Sequence, residues 1–299
     1  MTPIQECIKN KRIDINPIWI MRQAGRYLPE FREIRVKNPD FIKLCLNKNL
    51  SSEITLQPIK RFDFDAAIIF SDILIIPYGL GQKVEFQKGI GPILGEGNLD
   101  NIVNTDSVDF IKKIFPVYKG MEKVKKNLNG KCLIGFAGAP WTLLLYMLNK
   151  KSPKNNFNFN EIIKDKFLVN RLLKKIEEMI CLHVDKQIEA GANVIQIFDS
   201  WAGLLPKKEL PNYCYIPNLK IVEYIKNKNV PVICFPKGIG ENYIDFCLTV
   251  KPDCVSIDYE IDPKWIKDKI NGTPIQGGLD PKVLLGDKGD IKKKQKSIS

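Results

Sequence analysis

The chain has 299 residues and a formal net charge of +12, with 44% hydrophobic and 27% charged residues. That length suits one large α/β domain or two ordinary ones, and that composition supplies a core and marks a soluble protein. No apolar run approaches a membrane span, the longest being of the kind Ala66 to Phe70, and no charged-then-apolar leader opens the chain, so the reading is cytoplasmic with no membrane partner.

Lysines are spread along the whole chain and not gathered into a patch, which argues against nucleic acid. The general basic field would still favour a polyanionic small molecule. The eight cysteines stand singly with no CxxC pair, as small buried residues or free thiols do in a reducing compartment.

Taken in order, short β-rich runs alternate with longer helical patterns. The first predicted strand is Pro17 to Met21, followed by a helical segment from about Pro39 through Lys60. The second strand is Ala66 to Phe70 and runs into Ser71-Asp72. A glycine-rich stretch from Gly79 to Gly97 reads as turns and a small hairpin around Lys83 to Phe86. It is not a phosphate loop, because no strand leads through it into a helix.

A helix covers about Ser107 to Asn127. The third strand, Cys132 to Phe136, leads to Pro140, which suits the first position of a helix carrying Tyr146. Apolar residues at Leu172, Leu173, Ile176, Ile180, Val184 and Ile188 have helical spacing within 161 to 190, and Gly191 is a natural stop. The fourth to seventh strands are Asn193 to Phe198, Val230 to Phe235, Cys254 to Asp258 and Pro274 to Gly277. Helical segments lie between them near Asn218 to Lys228, Tyr243 to Thr249 and Pro263 to Lys269.

Seven strands separated by helices argue a parallel sheet. Polar residues fall at successive C-terminal strand ends: Arg22, Asp72, Ser200 and Asp258. That is the pattern of a (β/α)8 barrel face. A doubly wound sheet usually carries a nucleotide-type glycine fingerprint after its first strand, and none is present. The expected fold is therefore a (β/α)8 TIM barrel within one domain, 1–299. An eighth strand and last helix are not visible, and the lysine-rich tail 286–299 is expected to lie outside the barrel.

The chemistry concentrates early. Five of the seven arginines, Arg12, Arg22, Arg26, Arg32 and Arg35, precede residue 36 in a chain that otherwise uses lysine. Clustered arginine points to forked recognition of carboxylate or phosphate. Gly25 between Arg22 and Arg26 allows a tight turn or close ligand approach. His183, the single histidine, sits inside a long helix and reads as structural.

The run Met21-Arg22-Gln23-Ala24-Gly25-Arg26-Tyr27-Leu28-Pro29-Glu30 resembles the N-terminal signature of the uroporphyrinogen decarboxylase family. Gly135 to Thr142 resembles its second signature. Ile69 to Leu74, Phe198 to Gly203 and Gln276 to Pro281 follow in the expected order, so the resemblance spans about Pro3 to Pro281. It implies a (β/α)8 barrel, a homodimer, and no metal or organic cofactor. The implied reaction converts four acetates of uroporphyrinogen to methyls, giving coproporphyrinogen and four CO2.

By motif match, Arg22 and Arg26 would bind substrate carboxylates, with the Gln23-Ala24-Gly25 backbone lining the cleft. Asp72 matches the central aspartate and Arg22 or Arg26 a possible proton relay. Tyr146 and Ser200 match substrate-binding positions, and Arg35 and Phe41 weaker ones. Asp199 and Asp258 receive no role beyond the barrel mouth. The family's substrate-binding histidine belongs to a later glycine-flanked motif that His183 does not match.

Two rivals stand beside this reading. One is a corrinoid-linked zinc methyltransferase of the same fold family, disfavoured because Cys234 has no neighbouring histidine. The other is an inactive, binding-only barrel.

Overall fold

A computed structural model describes residues 1–153, 157–287 and 289. The apolar runs become a six-stranded parallel sheet: β1 (Ala66–Ile68), β4 (Cys132–Gly138), β5 (Val194–Asp199), β6 (Val232–Pro236), β7 (Cys254–Ile257) and β8 (Ile275–Gly277), paired in that order. Every residue of β1, β4, β5 and β7 is buried, as both faces of a helix-covered parallel sheet require. The short antiparallel pair β2 (Val84–Gln87) and β3 (Gly91–Leu94) is the hairpin expected near Lys83 to Phe86.

The expected first strand, Pro17 to Met21, is not a strand. Its residues Ile18, Ile20 and Met21 are exposed, so the apolar run is not a buried one. Ile18 alone meets the β1 side. Its N–H donates to Asp65 Oδ2 at 2.7 Å, and its carbonyl accepts from the Asp65 N–H at 3.0 Å.

Trp19 turns the other way, and its indole N–H donates to Gln276 Oε1 on β8 at 3.0 Å. Adjacent residues of one extended stretch thus touch both edges of the sheet. Consecutive Cα atoms lie only about 3.8 Å apart, so the sheet must curl until its edges flank that stretch.

Gln276 continues inward. Its amide N–H donates to Gln196 Oε1 at 2.9 Å and to Ser256 Oγ at 2.6 Å, joining β8, β5 and β7 through a buried polar layer.

The helices follow their sequence signals with two changes. The segment expected from about Pro39 through Lys60 divides at Asn47 into Phe41–Cys45 and Lys48–Phe62. The Asn47 side chain caps the second piece by accepting from the Asn49 and Leu50 N–H groups. A further helix, Pro29–Lys37, begins on its proline.

Ser107–Lys126 and Pro140–Asn149 form as expected. Lys166–Glu189 is capped by Asp165 and stops at Gly191, whose φ of +102° lies in the left-handed region.

The second signature run has a physical reason for its glycines. A Cβ on Gly135 would stand 2.8 Å from Gln187 Oε1, and one on Gly138 would stand 2.7 Å from Leu143 Cδ2. Gln187, reaching from helix Lys166–Glu189, accepts from the Phe136 N–H and donates to the Phe136 carbonyl. It completes the backbone hydrogen bonding of β4 where β1 no longer pairs with it.

Of the tail 286–299, only Gly286, Asp287 and Gly289 fall among the described residues.

Candidate active site

The C-terminal ends of the strands carry the polar side chains. Asp72 lies four residues beyond β1, at a turn where its Oδ1 accepts the Leu74 N–H at 2.9 Å. Burial pushes its carboxyl up to about 6, against the Leu74 hydrogen bond and the nearby Arg22 guanidinium, which pull it down. Arg22 is exposed, on the turn that follows the extended stretch. The Arg22 charge thus acts on Asp72 without a hydrogen bond or ion pair between them among the described residues.

Arg26 is exposed and exerts no such influence on Asp72. Neither the Arg22 nor the Arg26 guanidinium has a hydrogen-bond or ion-pair partner among the described residues.

The turn itself is held by Gln23. This side chain is buried, donates to the Ala66 carbonyl at 3.0 Å and accepts from the Ile20 N–H at 3.2 Å. Its amide is therefore committed to the fold. Gly25 does not adopt a positive φ, and a Cβ there would meet Tyr27 at an ordinary 3.4 Å. The chain does turn here, the Gly25 carbonyl accepting the Leu28 N–H at 3.0 Å, but the turn makes no demand for glycine at this position.

Arg35 is also largely spent on structure. Its Nη1 donates to the Asn38 carbonyl at 2.7 Å and the Pro39 carbonyl at 3.1 Å, and its guanidinium lies 5.5 Å from the Phe41 ring centre. Phe41 packs on Phe70 and on Phe86 of β2, at 5.6 and 4.5 Å between ring centres. It ties the segment before Asp72 to the hairpin. Buried Cys45 feels both Asp72 and Arg35, which places it near both.

On the far side, Tyr146 is buried, with its hydroxyl 3.4 Å from Ser152 Oγ and its ring edge-on to Trp201 at 6.1 Å. Ser200 directly precedes Trp201 at the end of β5, so Tyr146 packs on the residue next to Ser200. The hairpin stands between the two groups, joined to the Tyr146 side through the Ile93–Lys151 bridge.

Two carboxylates that sequence reasoning left without roles prove well connected. Asp199, 1% exposed, accepts from Thr142 Oγ1 at 2.7 Å and from Asn218 Nδ2 at 3.2 Å. Burial lifts its carboxyl to about 6 despite those bonds. Asp258 Oδ2 accepts from the Gly238 N–H at 2.6 Å and from the Tyr243 hydroxyl at 3.0 Å.

Lys237, exposed at the end of β6, carries an ammonium with no partner among the described residues. Only its place immediately after a strand could have marked it. Among the described residues, no three His, Cys, Asp or Glu side chains gather as a metal-ligand set.

The family model "Uroporphyrinogen decarboxylase (URO-D)" matches residues 1–299. The chain belongs to the uroporphyrinogen decarboxylase family. Uroporphyrinogen decarboxylase of Rickettsia bellii is 43% identical over 293 residues, covering 95% of this chain and 85% of that one. The Rickettsia massiliae protein of the same name is 41% identical over 287 residues, covering 94% and 83%.

Among solved structures, a methyltransferase from Methanosarcina mazei superposes with a TM-score of 0.79 over 99% of this chain and 88% of that one. Its identity is 15%, so the likeness carries the fold alone.

Proposed function

We propose that this chain decarboxylates the four acetate side chains of uroporphyrinogen III, giving coproporphyrinogen III and four CO2. The observation that carries the assignment to residues is Asp72, half-buried at the turn beyond β1 with the Leu74 N–H on its Oδ1 and the Arg22 charge acting on its carboxylate. The Arg22 guanidinium that acts on it, and that of Arg26 four residues on, are left unspent by the fold among the described residues.

Losing CO2 from a pyrrole acetate requires somewhere for the C–C bonding electrons to go. A proton added to the ring makes it cationic, the bond to the carboxylate breaks, and its electron pair flows into the ring. Protonation of the resulting exocyclic carbon gives the methyl, and the ring carbon gives up the proton it first took, so each CO2 lost consumes one proton net. An ionised Asp72 accepts hydrogen bonds from pyrrole N–H groups and stabilises the positive charge as it grows. Arg22 and Arg26 hold substrate carboxylates as forks and orient the macrocycle, with the 23–25 backbone along the cleft. Arginine's high pKa makes a water beside it the better proton carrier. Tyr146 and Ser200 contact the far side of the ring system, and Arg35 and Phe41 shape the near wall.

The same reading places the chain in a (β/α)8 plan as a single barrel domain, with the stretch 15–20 in the first strand's position. It also carries a homodimer, a cytoplasmic location and cofactor-free chemistry.

The test is anaerobic conversion of uroporphyrinogen by wild type and Asp72→Asn. The variant is expected to bind substrate within a few-fold of wild type and to lose on the order of 100-fold or more in kcat. Wild-type turnover by Asp72→Asn would remove this carboxylate from the mechanism.

A further inference from the structure

Ser200 sits on a loop whose backbone is fixed on both flanks while its own hydroxyl has no partner among the described residues. On one flank, Asp199 Oδ1 accepts the Thr142 hydroxyl proton at 2.7 Å. The Thr142 oxygen, its proton so engaged, accepts the Trp201 N–H at 3.1 Å. The Trp201 carbonyl in turn accepts from Trp141 Nε1 at 3.0 Å.

On the other flank, the Lys237 N–H donates to the Asp199 carbonyl at 3.1 Å and the Gly203 N–H donates to the Lys237 carbonyl at 2.9 Å. Gly203 lies so near Gly238 that a Cβ would stand 2.5 Å from the Gly238 oxygen. Asn218 holds the second oxygen of Asp199 at 3.2 Å.

Apolar packing alone could anchor such a loop. Instead a carboxylate is buried at the end of β5, where desolvation makes the charge costly. What the charge supplies is direction. A hydroxyl that donates to an anion is a shorter, stronger donor and a better acceptor for the next N–H. The chain Asp199–Thr142–Trp201 therefore fixes the peptide that follows Ser200, and with it the Trp201 ring against Tyr146.

We propose that Thr142 and Asp199 are positioning residues for substrate binding, acting through Ser200 by locking the 200–203 loop against Tyr146. This rests on the reading that Ser200 contacts the tetrapyrrole.

The experiment is a double-mutant cycle on the full chain, with kcat and KM for uroporphyrinogen measured anaerobically and folding checked by thermal melting. Thr142→Val keeps the shape and removes the hydroxyl. It is expected to raise KM about tenfold, the worth of one charge-assisted hydrogen bond, with kcat nearly unchanged. Thr142→Ser restores the hydroxyl and returns KM to within about twofold of wild type.

Ser200→Ala raises KM in the same direction, and the Thr142→Val/Ser200→Ala double is no worse than the larger single effect, because both changes remove one interaction. A folded Thr142→Val with wild-type KM, beside a Ser200→Ala that raises it, overturns the positioning role and leaves the Ser200 contact standing. So does a fully additive double. Ser200→Ala with wild-type KM overturns the contact itself and the inference with it.

Should Thr142→Val not fold, Asp199→Asn sets two amide donors facing each other at Asn218 and is expected to raise KM. Adding Asn218→Asp restores one acceptor to the pair and rescues KM. Absence of that rescue in folded protein also overturns the proposal.

Discussion

Asp72 and Asp199 are both carboxyls lifted to about 6 by burial, yet they have opposite surroundings. Asp199 has its oxygens filled by Thr142 and Asn218. Asp72 has a single backbone donor and feels the unspent Arg22 guanidinium, so most of its acceptor capacity is not used by the fold among the described residues. A carboxyl with a pKa near 6 is mostly ionised at pH 7 and is neutralised as pH falls through 6. If Asp72 must be anionic, kcat/KM of wild type falls about tenfold per pH unit below that point. Asp72→Asn removes this acid limb from a much lower plateau. An unchanged limb in the variant would assign it to another group, Asp199 being the first to examine.

The place of Asp72 just beyond a strand was legible because a strand end in a matching run fixes a residue's position without further geometry. The connectivity of Asp199 was not, because Thr142 and Asn218 lie 57 and 19 residues away and only the fold brings them together.

At the scale of elements, the stretch before Arg22 explains both what sequence patterning recovers and what it misses. The alternation Ile18-Trp19-Ile20-Met21 is that of a strand, and the segment is indeed extended. However, it shares one reciprocal pair of bonds with Asp65 and then leaves the edge, so no ladder forms. The six paired strands were readable as short apolar runs, whereas a stretch held to the sheet at single residues depends on what lies beside it.

Trp19 and Gln276 substitute a side-chain bond for the missing ladder. Trp19→Phe keeps the ring and removes the donor. It should cost about 1–2 kcal/mol in urea unfolding. It should also raise KM, because the arginine-bearing turn loses its tether. A variant as stable as wild type would show that packing alone carries the latch.

Glycines give a sharper contrast. Gly203→Ala drives a methyl into the Gly238 backbone and should lower stability markedly. Gly25→Ala meets only Tyr27 at 3.4 Å and should fold normally. A raised KM in folded Gly25→Ala would mark that backbone as lying against substrate, and an unchanged KM would remove it from the cleft.

Across the whole molecule, the curled sheet leaves its outer layer to carry one more buried titratable group. His183, on helix Lys166–Glu189, is 3% exposed and has its Nδ1 2.9 Å from the Tyr118 hydroxyl. Burial pushes its pKa down to about 3, whereas an unfolded chain protonates histidine near 6.5. Between those values the unfolded state binds one more proton than the native state. Stability from this group is therefore lost as pH falls, approaching 1.4 kcal/mol per pH unit, or roughly that.

Asp72 and Asp199 act oppositely. Their native forms take up protons near 6 and the unfolded chain only near 3.9, so their contribution rises as pH falls through that window. Between about 4.5 and 6, two carboxyls outweigh one imidazole.

The histidine term can be isolated by difference. His183→Gln leaves the carboxyls in place and keeps an acceptor for Tyr118. Whatever the substitution costs at pH 7.5, the variant's stability relative to wild type should climb by about 1 kcal/mol or more per unit as pH drops from 6 to 4.5. Urea unfolding at four or five pH values measures it. A difference that stays flat across that range would mean His183 is protonated in the native protein, and that the helix layer around Tyr118 admits water.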